Sequence, residues 1–394
     1  MKTVHWLHST LTLNRNVAVL SSTVFFFAGA WFSWYPILPL HLRDLGATDA
    51  QVGLAYTLMQ LGYQGMQVLG GVLADRYGRK RLIVWPTFAF FPLYLLAAAT
   101  RSWGLLVALL VVADSVGAVQ WPALMALLAE SVPEGERGTA FALFEFAAGL
   151  GVALGPAAGA AILAVGDVSL LIGATGVVAF GCAIVRWLWL QETAHRSSPP
   201  GLGDWRVLLG GRLRVFLVAA SLFYLLMAMT VHGPFISLHA KDVGRLSEQA
   251  INSLIAVVGL AATAASLAGG WIIRRLGARR VLWLGTLSHA VALLPWAYAP
   301  AMLAGQGSLL VSWVGMQLSF IAFQTVLAEQ AGDASRGSIV GLVGTITGLV
   351  AAVGPTLGAW LRGAFGSTGP FWAALLLAWL AIWFLRGAET PAGR

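Results

Sequence analysis

The chain has little charge and almost no cysteine. Only 10% of its 394 residues are charged, whereas a soluble chain carries about 25%. Cys182 is the single cysteine, so neither an internal disulfide nor a thiolate cluster for a metal can form. The sequence also lacks a phosphate-binding glycine loop, a His/Glu metal spacing and a nucleophile elbow. These absences argue against an ATP-driven pump or a membrane hydrolase, and we predict neither enzymatic activity nor a cofactor.

Apolar residues dominate instead. They make up 58% of the chain, and the mean hydropathy is +0.80, so this surface needs the lipid bilayer as its solvent. The net charge of +8 would elsewhere indicate a nucleic-acid partner. Here the basic residues cluster in short turns between apolar runs, so the charge indicates membrane topology, and no nucleic-acid partner is predicted.

Twelve runs are long enough to span a bilayer, since each has about 20 residues. A polar linker at 191–212 divides them into two sets of six, which predicts an all-α membrane protein with helical bundles at 1–190 and 213–394. The runs lie near 17–42, 51–73, 82–100, 104–130, 139–164, 168–190, 213–240, 251–273, 281–299, 306–329, 338–362 and 370–387.

Basic residues predict the orientation of these spans. If the N-terminus is inside, nearly all the basic turns and the linker arginines are cytoplasmic. This asymmetry predicts a multi-pass protein of the inner (plasma) membrane with both termini in the cytoplasm. The few basic residues left outside are Arg43, Arg101, Lys241, Arg245 and Arg362.

The second half of the chain repeats the first. The segment GVLADRYGRKR at Gly71–Arg81 returns, degraded, as GWIIRRLGARR at Gly270–Arg280, an offset of 199 residues. Two parallel halves imply a pseudo-two-fold axis along the membrane normal, with a substrate site between them. Three further pairs keep an offset of 198 or 199: Pro36–Gly46 with Pro234–Gly244, Leu128–Thr139 with Leu327–Ser338, and Gly155–Gly159 with Gly354–Gly358.

These motifs resemble the major facilitator superfamily, and the resemblance covers nearly the whole chain. The family's loop between helices 2 and 3 reads Gly-x-x-x-Asp-Arg-x-Gly-Arg-Lys/Arg-Arg/Lys, and Gly71–Arg81 matches it. The second copy departs, with Arg274 in place of the Asp and Ala278 in place of the first Arg after the glycine. The resemblance implies twelve helices in two six-helix bundles that alternate between inward-open and outward-open states.

The resemblance also implies a cytoplasmic gate. Gly71 would let the second span approach the eleventh closely, and Asp75 would lie at the N-terminus of the eleventh, where the helix dipole favours a carboxylate. The alternative is that the basic cluster only sets topology. The predicted gate residues are Gly71, Asp75, Arg76, Gly78, Arg79, Lys80, Arg81, Glu130, Arg137, Glu329 and Arg336.

The fifth span carries a Gly-x-x-x-Gly-Pro-x-x-Gly pattern similar to that of the drug:proton antiporter branch. Its residues are Gly151, Gly155, Pro156 and Gly159. Small residues four apart allow close helix packing, and the proline can kink the helix. Ordinary packing is the alternative, because the eleventh span repeats part of the motif. The branch's arginine in the fourth span is missing, since Leu110 occupies its position.

Asp114 is the first candidate for proton coupling and substrate binding. It lies near the middle of the fourth span, where a carboxylate costs about 2.5–3.5 kcal/mol on insertion scales. Leu110, Gly117 and Trp121 share its helix face. A carboxyl group at this depth can exchange protons or attract a cationic substrate. The alternative is a structural aspartate bonded to neighbouring helices.

Other polar and aromatic side chains inside the spans are weaker candidates. Glu145 is predicted as a second proton site or gate residue, or as a carboxylate that only reaches the cytoplasmic vestibule. Gln60 and Gln64 share a face with Gln67 and Gly71, and they bind substrate or only bond across helices. The remaining candidates are Gln120, Gln317 and His232, with Trp31 and Tyr35 as aromatic lining or as packing residues.

The prediction is therefore a secondary transporter, working as a monomer, that exports hydrophobic or cationic small molecules in exchange for protons. A transporter of lipid, lysolipid or glycolipid is the first alternative, because sparse charge in the cavity suits an acyl chain. A sugar or metabolite uniporter is the second, and it would not need Asp114 to titrate. A receptor or scaffold is disfavoured, because it needs neither a gate nor a membrane carboxylate.

Overall fold

A computed structural model describes residues 14–193, 211–330 and 332–387 of the chain. The described residues form helices, turns and short connections, with no strand among them. Ten of the helical segments described are long and apolar enough to cross a membrane. The all-helical class predicted from hydropathy is thereby confirmed.

Helices of the first sequence half follow the predicted runs closely. They are α1 (Arg15–Phe32), α2 (Leu38–Asp44), α3 (Asp49–Tyr77), α4 (Arg79–Ala99), α5 (Trp103–Glu130), α6 (Arg137–Ile162) and α7 (Val168–Trp189). Short 3-10 turns at Tyr35–Ile37 and Glu134–Glu136 precede α2 and α6.

Helices of the second half repeat this order. They are α8 (Gly211–Met229), α9 (Phe235–Asp242), α10 (Glu248–Leu276), α11 (Ala278–Tyr298), α12 (Leu303–Gln330), α13 (Gly332–Ala352), α14 (Gly354–Phe365) and α15 (Gly369–Gly387). The predicted runs at 17–42, 213–240 and 338–362 are thus each divided into two helices. A proline lies at each break, where it removes a backbone donor and clashes with the preceding turn. These prolines are Pro36, Pro234 and Pro355.

Local side chains fix several helix starts. The Asn14 side chain accepts from the backbone N–H of Asn16 at 3.0 Å and so caps α1. The Asp167 carboxylate accepts from the N–H of Leu170 at 2.9 Å and caps α7. Each cap satisfies a donor that the first turn of a helix leaves unpaired.

Both copies of the repeated loop turn at a glycine. Gly78 has φ +91° and Gly277 has φ +84°, a backbone conformation that side chains other than glycine rarely adopt. The two glycines are 199 residues apart, so the degraded second copy keeps the backbone turn although it has lost the acidic residue.

The chain forms two compact units that nearly follow the sequence halves. Unit 1 contains Met1–Gly46, Met59–Ser197 and Glu248–Ala256, and unit 2 contains Ala47–Leu58, Ser198–Ser247 and Val257–Arg394. The beginning of α3 therefore belongs to unit 2, and the beginning of α10 to unit 1. Within unit 1, α1 packs on α6 and α4 packs on α5 and α7. Within unit 2, α11 packs on α12 while α8 packs on α13 and α15.

Candidate functional site

Asp114 lies on α5 among tyrosines of unit 1. Its side chain is half-buried, and it is close enough to Tyr35, Tyr63 and Tyr94 for its charge to act on each phenol. The chain has only seven tyrosines, so nearly half of them lie within range of this one carboxylate's charge. Tyr35, Tyr63 and Tyr94 come from separate chain segments, which makes the cluster a product of the tertiary fold.

Trp31 completes this aromatic cluster. Its ring stacks on that of Tyr35, with centroids 4.2 Å apart and an interplanar angle of 24°. It also contacts the ring of Trp34 with centroids 5.9 Å apart, and Trp34 in turn contacts the ring of Tyr94 at 6.1 Å. We call Trp31, Tyr35, Tyr63 and Tyr94 the tyrosine cage. The sequence prediction named Trp31, Tyr35 and Asp114 but missed Tyr63 and Tyr94, although both lie inside predicted spans.

The Asp114 carboxylate has no hydrogen-bond or ion-pair partner among the described residues. Buried charged groups are usually paired, and intramembrane carboxylates are rare and commonly functional. A carboxylate with aromatic rings nearby can attract a cation electrostatically, and a ring face close to that cation would add cation–π attraction. The same carboxyl group can exchange a proton, so the arrangement can hold a proton or a cation in turn.

The other polar candidates are divided between the two units. Gln60 and Gln64 on α3 are half-buried, and neither side chain has a hydrogen-bond partner in the described part of unit 1. Glu145 on α6 is exposed and likewise has no described partner. Gln317 on α12 is half-buried and His232, between α8 and α9, is exposed; both belong to unit 2.

Gln120 differs from these glutamines because its side chain is already engaged. Its carbonyl oxygen accepts from the Thr87 hydroxyl at 3.1 Å and from Nη1 of Arg186 at 3.1 Å. Arg186 also donates from Nε to the Thr23 hydroxyl at 3.0 Å, and only 4% of it is exposed. The network joins α1, α4, α5 and α7. The sequence analysis missed this arginine because its span ends only a few residues later, where an arginine usually marks topology.

The loop between α3 and α4 is held by carboxylates from two other parts of unit 1. Nη2 of Arg79 lies 2.7 Å from Oε1 of Glu130 at the end of α5. The Glu192 carboxylate accepts from the backbone N–H of Arg79 and Lys80 at 3.1 Å each. A carboxylate at the first turn of α4 is favoured by the helix dipole. Glu192 was not predicted, and it lies at the start of the linker.

Neighbouring interactions extend this charged loop. Thr193 donates its hydroxyl to Oε2 of Glu130, which brings a second linker residue to the loop. Nε of Arg137 donates to the carbonyl of Ala129 at 3.2 Å. Arg76 and Arg81 are exposed, Lys80 is half-buried, and Glu329 in unit 2 is exposed.

Gly71, Asp75 and Arg336 complete the predicted gate. A Cβ placed on Gly71 would have no described atom within 4 Å. The side chains of Asp75 and Arg336 lie outside the part of the chain that the structure describes. The gate function of the whole set stays a prediction.

The glycines of α6 form its contact with α1. A Cβ on Gly151, Gly155 or Gly159 would overlap a backbone carbonyl oxygen of the α1 segment. Those carbonyls belong to Phe25, Gly29 and Ser33. Pro156 is buried inside α6, and α6 continues through it, whereas the repeated proline at 355 begins a new helix. The motif therefore sets a close helix approach in unit 1.

We expect Gly159→Ala to destabilise the protein, because its new methyl group would overlap the Ser33 carbonyl. Overpacking of this kind costs about 1–3 kcal/mol. Gly149→Ala on the same helix is the matched control, since a Cβ there meets no described atom within 4 Å. Thermal unfolding in detergent measures the difference, and equal unfolding temperatures for both variants would contradict the close-packing explanation.

Unit 2 contains a buried arginine between two aspartates. Nε of Arg362 on α14 donates to Oδ2 of Asp49 on α3 at 2.9 Å, and its Nη2 donates to Asp242 on α9. The arginine side chain is 8% exposed, and each aspartate is 35% exposed. We call these three residues the Arg362 triad. The sequence analysis assigned Arg362 to the outer side of the membrane from the predicted topology alone. It did not predict Asp49 or Asp242 as its partners.

The beginning of α3 is fixed in unit 2 by further contacts. The hydroxyls of Thr57 and Thr356 are 2.8 Å apart, and a Cβ on Gly53 would overlap Pro355 and Ala359. In unit 1, Nδ2 of Asn252 on α10 donates to the carbonyl of Ser33 at 2.7 Å. Each unit thus binds a helix end that comes from the other sequence half.

Comparison with known proteins agrees with these features. The sequence model of the Major Facilitator Superfamily matches residues 20–244 and 218–394. The chain is 24% identical over 368 residues to the multidrug resistance protein MdtH of Klebsiella pneumoniae (strain 342), covering 90% of each chain. It is 29% identical over 310 residues to an uncharacterized MFS-type transporter of Mycobacterium tuberculosis, covering 73% of this chain and 69% of the relative.

Solved structures show the same fold. The nucleoside transporter NupG aligns with a TM-score of 0.79 at 14% identity, covering 95% of this chain and 98% of that one. A D-xylose-proton symporter aligns with a TM-score of 0.75 at 16% identity, covering 94% and 96%. Because the family's sequence model spans almost the whole chain and the helices take the family's fold, this protein belongs to the Major Facilitator Superfamily of membrane transporters.

Proposed function

We propose that the protein exports hydrophobic or cationic small molecules in exchange for protons. The observation that carries this proposal is the unpaired carboxylate of Asp114 beside the tyrosine cage. Aromatic faces bind organic cations with about 0.5–2 kcal/mol each, and more strongly where water is excluded. Apolar ring surface also suits a hydrophobic substrate, whereas a sugar would need more hydrogen-bonding groups than the cage offers.

Coupling follows if proton and substrate compete for one carboxylate. A cation binds to Asp114 when the carboxylate is ionised, and uptake of a proton removes the charge that holds the cation. A proton gradient directed inward then drives the substrate outward. Glu145 is the second proposed proton site, and Gln60, Gln64, Gln317 and His232 are proposed to contribute polar contacts along the pathway.

The proposed topology has twelve spans with both termini in the cytoplasm of a plasma-membrane protein. Ten apolar helical segments account for ten of these spans, and we add α3 and the α8–α9 pair as the other two. The basic turns support this orientation, since arginine and lysine concentrate on the cytoplasmic side of membrane proteins. We propose that the transporter works as a monomer.

Alternating access needs contacts that break and form again. We propose the charged loop with Arg79, Glu130 and Glu192 as the inner gate, together with Asp75, and the Arg362 triad as its outer counterpart. Opening the outer side would separate the charged groups of the Arg362 triad, and water that enters there would solvate them. The close contact between α1 and α6 would make that part of unit 1 move as a rigid body.

Two relatives have names that describe drug resistance or ion antiport. The MdtH relative is called a multidrug resistance protein, and a relative in Planococcus maritimus, 30% identical over 155 residues, is called a Na(+), Li(+), K(+)/H(+) antiporter. The latter match covers 38% of this chain. These names favour efflux and antiport as the first hypothesis to test.

Purified protein in proteoliposomes tests the proposal. With an imposed pH gradient, we expect accumulation of a lipophilic cation such as tetraphenylphosphonium, and its loss when a protonophore is added. Accumulation that persists with the protonophore would contradict proton coupling and favour a uniporter. If the protein moves a fluorescent lysolipid between leaflets but no cation, the lipid-transport alternative replaces the proposal.

A further inference from the structure

The second copy of the repeated loop has four arginines and no acidic residue. From Val257 to Gly387 the sequence has seven arginines but only two acidic residues, Glu329 and Asp333. Six of those arginines lie in helix ends and turns that the proposed topology places in the cytoplasm. They are Arg274, Arg275, Arg279, Arg280, Arg336 and Arg386.

Two of these arginines lie on tryptophan rings at the end of unit 2. The Arg275 guanidinium is 4.3 Å from the ring centroid of Trp271 on α10, and Trp271 is 52% exposed. Arg386 at the end of α15 is 4.9 Å from the ring of Trp283 on α11. These contacts keep the guanidinium groups at the level of the aromatic rings. Tryptophan rings favour the membrane–water interface, the level of the lipid headgroups.

Helix ends bring further arginines to the same place. Arg274 and Arg275 end α10, and the turn at Gly277 leads within a few residues to Arg280 in the first turn of α11. The contact between Arg386 and Trp283 adds the end of α15 to this face. We call Trp271, Trp283, Arg274, Arg275, Arg280 and Arg386 the basic aromatic face.

The two copies of the loop differ in the carboxylate partners of their basic residues. In the first copy, Arg79 is paired with Glu130, and Glu192 accepts from the backbone of α4. In the second copy, Ala278 stands at the position equivalent to Arg79. Among the described residues, the arginines of the basic aromatic face have no carboxylate partner. The guanidinium groups described on this face are exposed and therefore accessible to an external anion.

We propose that the basic aromatic face binds the headgroup of an anionic phospholipid in the cytoplasmic leaflet. Guanidinium groups bind phosphate oxygens in a planar, bidentate geometry. Basic clusters beside membrane helices attract anionic headgroups, and tryptophan supplies an amphipathic surface at the same depth. A lipid headgroup fits better than a free phosphate, because Trp271 also offers apolar ring surface to an acyl chain. The choice of leaflet rests on the proposed topology.

The experiment measures lipid retention by the full-length protein in detergent. Delipidated protein is titrated with phosphatidylglycerol or phosphatidylcholine, and native mass spectrometry counts the bound lipids. We expect preferential retention of phosphatidylglycerol. Retention should fall about fivefold for each arginine removed, so the double variant Arg275→Gln/Arg386→Gln should lose most of the preference. Glycerol phosphate in solution should not displace the lipid.

A matched variant tests whether any loss of positive charge has this effect. Arg101→Gln/Lys241→Gln removes two exposed cations that the sequence predicts to be on the opposite side, and it should retain phosphatidylglycerol like the wild type. Thermal unfolding checks that both double variants are folded. The proposal is overturned if both lipids are retained equally, if both double variants lose retention alike, or if glycerol phosphate displaces the lipid. Because the assay needs neither substrate nor pH gradient, its outcome is independent of the proposed export activity.

Discussion

Asp114→Asn is expected to abolish proton-driven accumulation of a lipophilic cation. The amide keeps the size of the side chain but can neither carry the negative charge nor exchange the proton. Loss of an interaction with a charged group costs about 1.5–3 kcal/mol, so the apparent affinity for the cation should also fall about 10–100-fold. Transport by purified variant in proteoliposomes measures both effects. Resistance of an efflux-deficient bacterium to lipophilic cations gives a second readout.

Three variants separate charge from packing at this site. Asp114→Glu keeps the carboxylate and should retain part of the coupled transport. Tyr63→Phe keeps the ring and should lower cation affinity only slightly, since the aromatic face remains. Glu145→Gln should impair coupled transport less than Asp114→Asn does if Asp114 is the main coupling residue. Coupled export by Asp114→Asn at the wild-type rate would reject Asp114 and make Glu145 the next candidate.

Arg362→Gln is expected to lower the unfolding temperature and to slow transport. The substitution leaves the carboxylates of Asp49 and Asp242 facing each other without the buried guanidinium that neutralises both. Removing one member of a buried ion pair costs about 3–5 kcal/mol. Because each aspartate is about one third exposed, solvent screening should reduce this to about 2–3 kcal/mol. Thermal unfolding in detergent measures the loss of stability.

Neutralising the whole triad provides the decisive control. In the triple variant Asp49→Asn/Arg362→Gln/Asp242→Asn no charge remains within the triad, so most of the lost stability should return. Its transport should stay impaired if the charged triad acts as the outer gate. A triple variant as unstable as Arg362→Gln would show that Arg362 acts through packing, and wild-type transport by the triple variant would reject the gate function.

Hydropathy was sufficient to recognise the class of protein and the approximate position of its helices. The cost of placing polar groups in lipid acts on each span separately, so apolar runs can be read along the chain without knowing which helices meet. The repeated motifs also identified the family from the sequence, because the residues of each motif lie close together along the chain. Helix breaks at Pro36, Pro234 and Pro355 were missed because an apolar run does not reveal where a helix is interrupted.

The candidate site was recovered only in part. Asp114, Trp31 and Tyr35 could be selected because a carboxylate or an aromatic cluster inside a span is unusual by itself. Gln60 and Gln120 looked alike in the sequence, yet only Gln120 is held by a buried arginine. A single tyrosine in a span does not indicate a functional site, so the sequence offered no reason to select Tyr63 or Tyr94. They became candidates only when the structure showed them near Asp114.

What the sequence by itself determined is therefore the family, the all-helical membrane class and the repeat that relates the two halves. Only the tertiary structure decided which charges meet. Glu192 binds the start of α4 across 113 residues, and Arg362 pairs with Asp49 across 313. Such pairs depend on how distant helices pack and rotate about their axes. Insertion into lipid constrains the hydropathy of each helix. Packing between helices determines which helices are neighbours and how each is rotated about its axis.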